Sequence, residues 1–336
     1  MKIQTAVSFL VLASVMNSPA FAHEGHHEMS VPSHAGPVEA ISGRKLKIVA
    51  TTTTFASLVR AIAGDRAEVK SISLPKFNTH FFQPKFSDVR NVQKADLFVQ
   101  AGLDHELWTD AILEAAGKPR LFRGAENNIQ MSEGIHLLEV PQGNLSRAEG
   151  DVHIFGNPHI WMSPENARIM TVNFLERLKT HNPENAAYYD KNAKAFLERL
   201  DTKIPEWKQA AAGVAGKEVI SYHKDIAYFA DFMGFKAQRF YEPKPGIPPT
   251  PKELISLQNY MKKNGIKAMI QPVYYSREAT DALAKKVGGK VYIICQNAGE
   301  LPGTDDYIGL FDYNVKTISE ALSAKDGSAS TMKGGK

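Results

Sequence analysis

The chain has a single cysteine in 336 residues, Cys295. No disulfide can form within it, so the fold rests on packed cores alone. Long hydrophobic runs are also missing. Apart from residues 6–16, which are mostly apolar, nothing approaches the roughly 20 apolar residues of a membrane-spanning helix. Charge of one sign is not in excess: 40 basic and 36 acidic side chains leave a formal +4, scattered along the chain. That gives no footprint for nucleic acid. His23-Glu24-Gly25-His26-His27 spells His-Glu-x-x-His only in a stretch with no helical pattern, and there is no Gly-x-Ser-x-Gly elbow, so two familiar marks of hydrolytic enzymes are lacking.

What is present begins with a targeting pattern. Lys2 precedes the apolar residues 6–16, and Ala20-Phe21-Ala22 has the small-x-small form of a signal-peptidase site. The expectation is cleavage after Ala22 and export to the periplasm. No cysteine lies near the cut, so lipidation there is not expected. Residues 23–44 follow as an arm rich in histidine, with His23, His26, His27 and His34 among few apolar groups. Such a stretch is expected to stay disordered, and its clustered imidazoles suit weak collection of zinc or copper.

From residue 45 onward, strands and helices alternate. Residues 46–50, 69–74 and 96–100 read as strands, with further strands near 120–122 and 135–138. Residues 55–62, 87–93 and 107–116 have helical spacing. A second alternating unit has strands at 218–221, 236–240, 268–270 and 291–294, with a final helix near 313–322. Between the two, residues 183–212 read as one long helix that Pro205 kinks or ends. Three caps are explicit: Ser163-Pro164 and Asn182-Pro183, each an N-cap followed by proline, and Thr250-Pro251-Lys252-Glu253 as a capping box. The expected architecture is therefore α/β. Two lobes, residues 45–182 and 213–325, each hold a mostly parallel sheet flanked by helices. The helix 183–212 joins them, and residues 326–336 form a flexible tail.

Three histidines stand beyond strand ends or before helices: His80 in Asn-Thr-His-Phe-Phe-Gln-Pro, His159 in Gly-Asn-Pro-His-Ile-Trp, and His223 in Ser-Tyr-His-Lys-Asp. In open α/β sheets, ligands bind beyond the carboxyl ends of strands. Neutral imidazoles gathered there would suit zinc and its first-row neighbours, and two lobes would place the site in the cleft between them. His105, His136 and His181 sit in polar or helix-edge contexts and are expected to be surface or structural. Trp161 is expected to anchor the core, and Glu242 to shape the cleft.

These segments, together with Lys47-Ile48-Val49-Ala50-Thr51, Ser87-Asp88-Val89 and Lys94-Ala95-Asp96-Leu97, resemble the solute-binding component of bacterial zinc and manganese ABC importers. The resemblance covers residues 45–322. It implies that His80, His159 and His223 hold the metal and that a membrane ABC permease is the partner. It also implies a non-enzymatic monomer that neither spans the membrane nor binds nucleic acid. Histidine at the third position favours Zn2+ over Mn2+, since manganese-binding members often carry glutamate there. The chain departs from the family twice. The His/Asp/Glu-rich loop of many zinc members is missing between Phe86 and Asp110, where the N-terminal arm is a substitute. The family's fourth, aspartate ligand is also missing. Cys295 or Gln296 falls in its neighbourhood, and Cys295, His153 and water are the open choices for a fourth donor. A manganese-binding member, and a periplasmic metallochaperone or adhesin, are the alternatives. A zinc hydrolase would need a general base and a substrate pocket for which no motif is found.

Overall fold

The computed structural model describes residues 38–143, 153–242, 244 and 246–323. Residues 1–22, expected to be a signal peptide, residues 23–37 of the arm and the tail from residue 324 lie outside the described residues. Among the described residues, no helix is long and apolar enough to cross a membrane.

Two four-stranded sheets form the framework. The first contains β1 (Leu46–Ala50), β2 (Ala67–Ser71), β3 (Leu97–Gln100) and β4 (Asn128–Gln130), in the order β2-β1-β3-β4. The second contains β5 (Glu218–Ser221), β6 (Lys236–Phe240), β7 (Ala268–Gln271) and β8 (Lys290–Ile293), in the order β6-β5-β7-β8. Every pairing is parallel. Central strands β3 and β7 are buried along their whole length, as expected of a parallel sheet covered on both faces. All loops that leave the carboxyl ends of one sheet therefore emerge on one side of it.

Helices follow the strands: α1 (Thr53–Ala63), α2 (Phe86–Lys94), α3 (Thr109–Ala116), α4 (Pro164–His181), α5 (Ala186–Ala211), α6 (Ala227–Met233), α7 (Pro251–Asn264), α8 (Glu278–Lys286) and α9 (Tyr307–Ser323). Two of the three caps read from sequence are in place; Asn182 makes no capping bond, because Pro183–Asn185 forms a 3-10 turn and α5 starts only at Ala186. The Ser163 hydroxyl accepts from the Asn166 N–H. Thr250 and Glu253 form a reciprocal capping box ahead of Pro251.

Helix α5 is the rod between the lobes. Its 26 residues span about 39 Å at 1.5 Å per residue. Tyr189, Ala193, Phe196, Leu200, Ile204, Trp207 and Ala211 are its buried residues. Their spacing of three and four makes one apolar stripe along the helix. The stripe packs against α1 and α4 of the first lobe and α6 and α9 of the second, so the cores of both lobes share one continuous cluster. Pro205 neither ends nor interrupts this helix.

Polar ties also join the lobes. Thr53 Oγ1 donates to the Ala298 carbonyl at 2.7 Å, and Thr54 Oγ1 accepts from the Ala298 N–H at 3.0 Å. The buried Tyr307 hydroxyl lies 2.8 Å from the Trp161 carbonyl and 2.9 Å from that of Ser163.

Three local expectations differ from the structure. Residues 120–122 are not a strand: Pro119–Leu121 is a 3-10 turn, because proline fixes φ and removes a ladder donor. The fourth strand is instead the short Asn128–Gln130. Residues 135–138 are loop, where the Leu138 N–H donates to the Tyr228 hydroxyl. Order also begins before residue 45: the Ile41 N–H donates to the His181 carbonyl at 2.7 Å.

Candidate metal centre

Each sheet delivers histidines from its carboxyl side. His80 lies in the 3-10 turn Thr79–Phe81 beyond β2. Its backbone N–H donates to Asn78 Oδ1 at 3.1 Å, and Trp108 Nε1 donates to the Thr79 carbonyl at 2.8 Å. Asn78 Nδ2 in turn donates to the Tyr275 hydroxyl of the other lobe at 3.1 Å. His159 precedes the turn Ile160–Met162. His223 stands two residues past the end of β5.

These three converge. The ring centroids of His80 and His159 are 5.1 Å apart, those of His80 and His223 5.5 Å, and those of His159 and His223 5.8 Å. The Nε2 atoms of His80 and His159 approach to 3.1 Å. Two nitrogens on one tetrahedral zinc, each 2.0–2.1 Å from the ion, would be about 3.3 Å apart.

Two more imidazoles join them. His105 is not at the surface: it is 2% exposed, 4.5 Å from His80 and 5.3 Å from His159 between ring centroids. Its tripeptide Asp104-His105-Glu106 follows the end of β3, the same kind of address that singled out His80. That position was the signal available in the sequence; its polar neighbours obscured it. His153 lies 5.0 Å from His80 and 6.2 Å from His159. Among the described residues, His80, His105 and His159 offer donor atoms all within 4.8 Å of one another.

Cys295 is not in that group. It is fully buried, with its backbone N–H donating to Asn314 Oδ1. Burial and the nearby Glu300 carboxyl push its thiol well up, against the thiolate that a metal requires. His181 is buried in the first lobe, where Nε2 faces the Glu126 carbonyl. Trp161 packs edge-on to Phe55 at 5.6 Å and donates from Nε1 to the Gln296 carbonyl. It is a core anchor that also backs His159 and His105, at 5.3 and 5.0 Å.

Hydrogen bonds at Nδ1 orient two of the rings, His159 and His153. Asn157 Oδ1 lies 2.9 Å from His159 Nδ1 and accepts the His159 backbone N–H at 3.0 Å. Its Nδ2 faces only acceptors, Glu139 Oε2 and the Lys224 carbonyl. The amide orientation is therefore fixed, and His159 must carry its proton on Nδ1. Carboxylates face the Nδ1 of the other rings: Asp104 at 2.9 Å from His153, Glu106 at 3.4 Å from His105, and Glu242 at 3.4 Å from His223. A ring that donates from Nδ1 presents the Nε2 lone pair, the usual arrangement around a bound transition ion.

Electrostatics agree. Burial, then the neighbouring imidazoles with His105 first, holds both His80 and His159 well below the usual histidine range. They are neutral donors, the form that binds metal. Burial raises the Glu106 carboxyl, yet His105, the Ala101 N–H and the Thr51 hydroxyl bring it below its ordinary value. Burial pushes Asp225 up to about 6.

Comparison with known proteins gives this site its context. The chain is 25% identical to the high-affinity zinc uptake system protein ZnuA of Bacillus subtilis over 288 residues, 84% of this chain and 89% of that one. It is 26% identical to the iron-binding protein YfeA of Yersinia pestis, covering 84% and 88%. It is 24% identical to the manganese ABC transporter substrate-binding lipoprotein PsaA of Streptococcus anginosus, covering 86% and 93%. A zinc-bound ZnuA deletion mutant superposes with a TM-score of 0.69 at 22% identity, over 84% of this chain and all of that one. A manganese-bound periplasmic metal binding protein from candidatus liberibacter asiaticus gives 0.68 at 21%, over 83% and 100%. At these identities the two structures speak for the shared two-lobed fold. The family model for the periplasmic zinc-uptake complex component A matches residues 48–321, and the chain belongs to that family.

Proposed function

We propose that this protein captures Zn2+ in the periplasm and delivers it to a membrane ABC permease for uptake. The coarser role, a metal-binding periplasmic component of an ABC uptake system, follows from the family. The observation that carries the choice of zinc is the donor set: His80, His159 and His223 converge from both lobes. Relatives named for zinc, iron and manganese all occur, so the choice rests on this chain's own residues. Imidazole suits zinc, whereas manganese favours carboxylate, carbonyl and water.

The proposed mechanism is passive. Neutral imidazoles replace the hydration shell and hold the ion until a lobe or loop motion releases it. His80, His159 and His223 are the proposed ligands, with His153 or water as a further donor. The protein is proposed to act as a monomer after removal of residues 1–22. The arm with His23, His26, His27 and His34 would collect ions weakly beside the tight site.

The test is elemental analysis of the untagged mature protein, with a competitive zinc titration of the stripped form. One tightly held zinc per chain is expected, lost in the triple variant His80→Ala, His159→Ala, His223→Ala. Deleting residues 23–34 should remove weak sites only. A tight zinc retained by the triple variant would sink the ligand assignment, and a manganese preference would overturn the choice of ion.

A further inference from the structure

Asp104-His105-Glu106 is built with unusual care for a turn at a strand's end. Gly102, Leu103 and Asp104 have φ of 80°, 56° and 57°, three successive residues in the left-handed region. Such a conformation at a non-glycine residue is strained and persists only where the surroundings enforce it. They do so here. A Cβ on Gly102 would lie 2.7 Å from Gln130 Oε1 and 2.9 Å from Ser132 Oγ. The His105 N–H donates to the Gly102 carbonyl at 3.1 Å. Glu106 Oε1 accepts from the Thr51 hydroxyl at 2.7 Å and from the Ala101 N–H at 3.0 Å.

The strained turn has two results. It drives the buried His105 ring against His80, with Trp161 behind it. It also spreads the two flanking carboxylates to different rings: Glu106 faces His105 Nδ1 and Asp104 faces His153 Nδ1. Asp104 is tied further by the Ile154 N–H, which donates to Oδ2 at 3.2 Å. A histidine that merely filled the core would not need a strained backbone, or a place with its donor atom within 4.8 Å of those of His80 and His159.

We infer that Asp104-His105-Glu106 is a metal-binding element, in which His105 is a ligand, Glu106 positions it, and Asp104 positions His153 as a further imidazole. This rests on the proposed metal-capture role of the same site and narrows its cargo. With His80, His159 and His223, the ion meets only nitrogen donors. Such a shell suits the late first-row dications cobalt, nickel, copper and zinc, and disfavours manganese, calcium and magnesium.

X-ray absorption of the zinc-loaded mature protein tests this, because outer-shell scattering counts imidazoles. Four or more are expected, with no carboxylate oxygen. His105→Gln should lose one imidazole and bind zinc at least about tenfold more weakly. Glu106→Gln should keep the count while losing roughly 10–100-fold in affinity, the range for groups that orient a ligand. Zinc should displace manganese from the parent at equal concentrations. Three imidazoles in the parent, or an unchanged count and affinity in His105→Gln, would overturn the inference and leave metal capture standing. A parent that binds no zinc would overturn metal capture itself. Circular dichroism checks that His105→Gln folds; if it does not, the parent's imidazole count decides alone.

Discussion

His80 and His159 meet Nε2 to Nε2 at 3.1 Å, and Asn157 already holds the proton of His159 on its other nitrogen. Two facing lone pairs would repel at that distance. The contact is stable in two ways: a proton on His80 Nε2 shared toward His159, or a cation that takes both lone pairs. Zinc loading should therefore move or release the His80 proton while His159 keeps its own on Nδ1. Long-range proton–nitrogen correlation spectra resolve the two tautomers. If zinc leaves the Nε2 resonances of both rings unshifted, this pair does not bind it.

The pH dependence follows from the same burial. His80 and His159 titrate well below the ordinary value of 6.5. In the unfolded chain these rings take up protons as pH falls through about 6.5; in the folded protein they resist. Their contribution to stability is present above that pH and is lost as pH falls through the lower, folded values. The metal-free protein should melt at progressively lower temperature below pH 6.5. Zinc should be retained to a lower pH than exposed imidazoles would allow, because the competing proton is bound more weakly. Chelator competition and thermal melts between pH 7.5 and 5 check both. Zinc affinity that halves its logarithm already near pH 7 would contradict the burial argument.

Groups that touch no ion should still matter. Asn157 fixes the His159 tautomer, and the Glu242 carboxylate faces His223. Asn157→Ala and Glu242→Gln should each weaken zinc binding by roughly 10–100-fold, with the zinc count unchanged at saturation. An affinity within twofold of the parent for both would show that these contacts do not orient the rings.

Gly246 couples the cleft loop to the site. Its φ is 77° and its N–H donates to Glu242 Oε1 at 2.6 Å. An added Cβ would lie 3.0 Å from Phe81 Cζ, beside His80. Gly246→Ala should cost about 1–2 kcal/mol for the left-handed backbone and also weaken zinc binding, since Glu242 would shift away from His223. A variant with a lowered melting temperature and parental zinc affinity would uncouple loop from site.

Glu300 offers a separate stability test. Burial raises its carboxyl to about 8, although the Gln296 and Asn297 N–H groups donate to Oε1. A raised folded value means that its contribution is fully present below the unfolded value, about 4.5, and is lost as pH rises through 8. Glu300→Gln removes that titration. Its stability relative to the parent should climb between pH 5 and 9 by several kcal/mol, on the order of 4. A constant difference across that range would place the Glu300 titration elsewhere.

Much of this molecule was legible in its sequence, for local reasons. Thr250 and Glu253, or Ser163 and Pro164, announce helix starts within four residues, and the apolar runs at β1, β3 and β5 announce buried strands. His80, His159 and His223 stood out because each lies just past a strand or before a helix. The short strand at Asn128–Gln130 was missed because two of its three residues are polar, and their pairing is made with distant groups. Asn128 Nδ2 donates to the Leu121 carbonyl, and its Oδ1 accepts from Gln100 Nε2. His105 was missed for a similar reason. Nothing in Leu103-Asp104-His105-Glu106 signals a left-handed turn, and its value as a site depends on rings contributed by residues 80 and 159.

Helix α5 carries a proline near its second-lobe end without breaking. Pro205 has no N–H, so the Asp201 carbonyl lacks its helical donor. At that turn the rod is held from outside: Ile204 and Trp207 are buried, and the Trp207 indole donates to Asp312 Oδ1 of α9 at 2.8 Å. Lys203 reaches the same carboxylate at 3.1 Å. The gap left by proline in the ladder is thus bridged by side chains of the second lobe, which keep the rod in one piece.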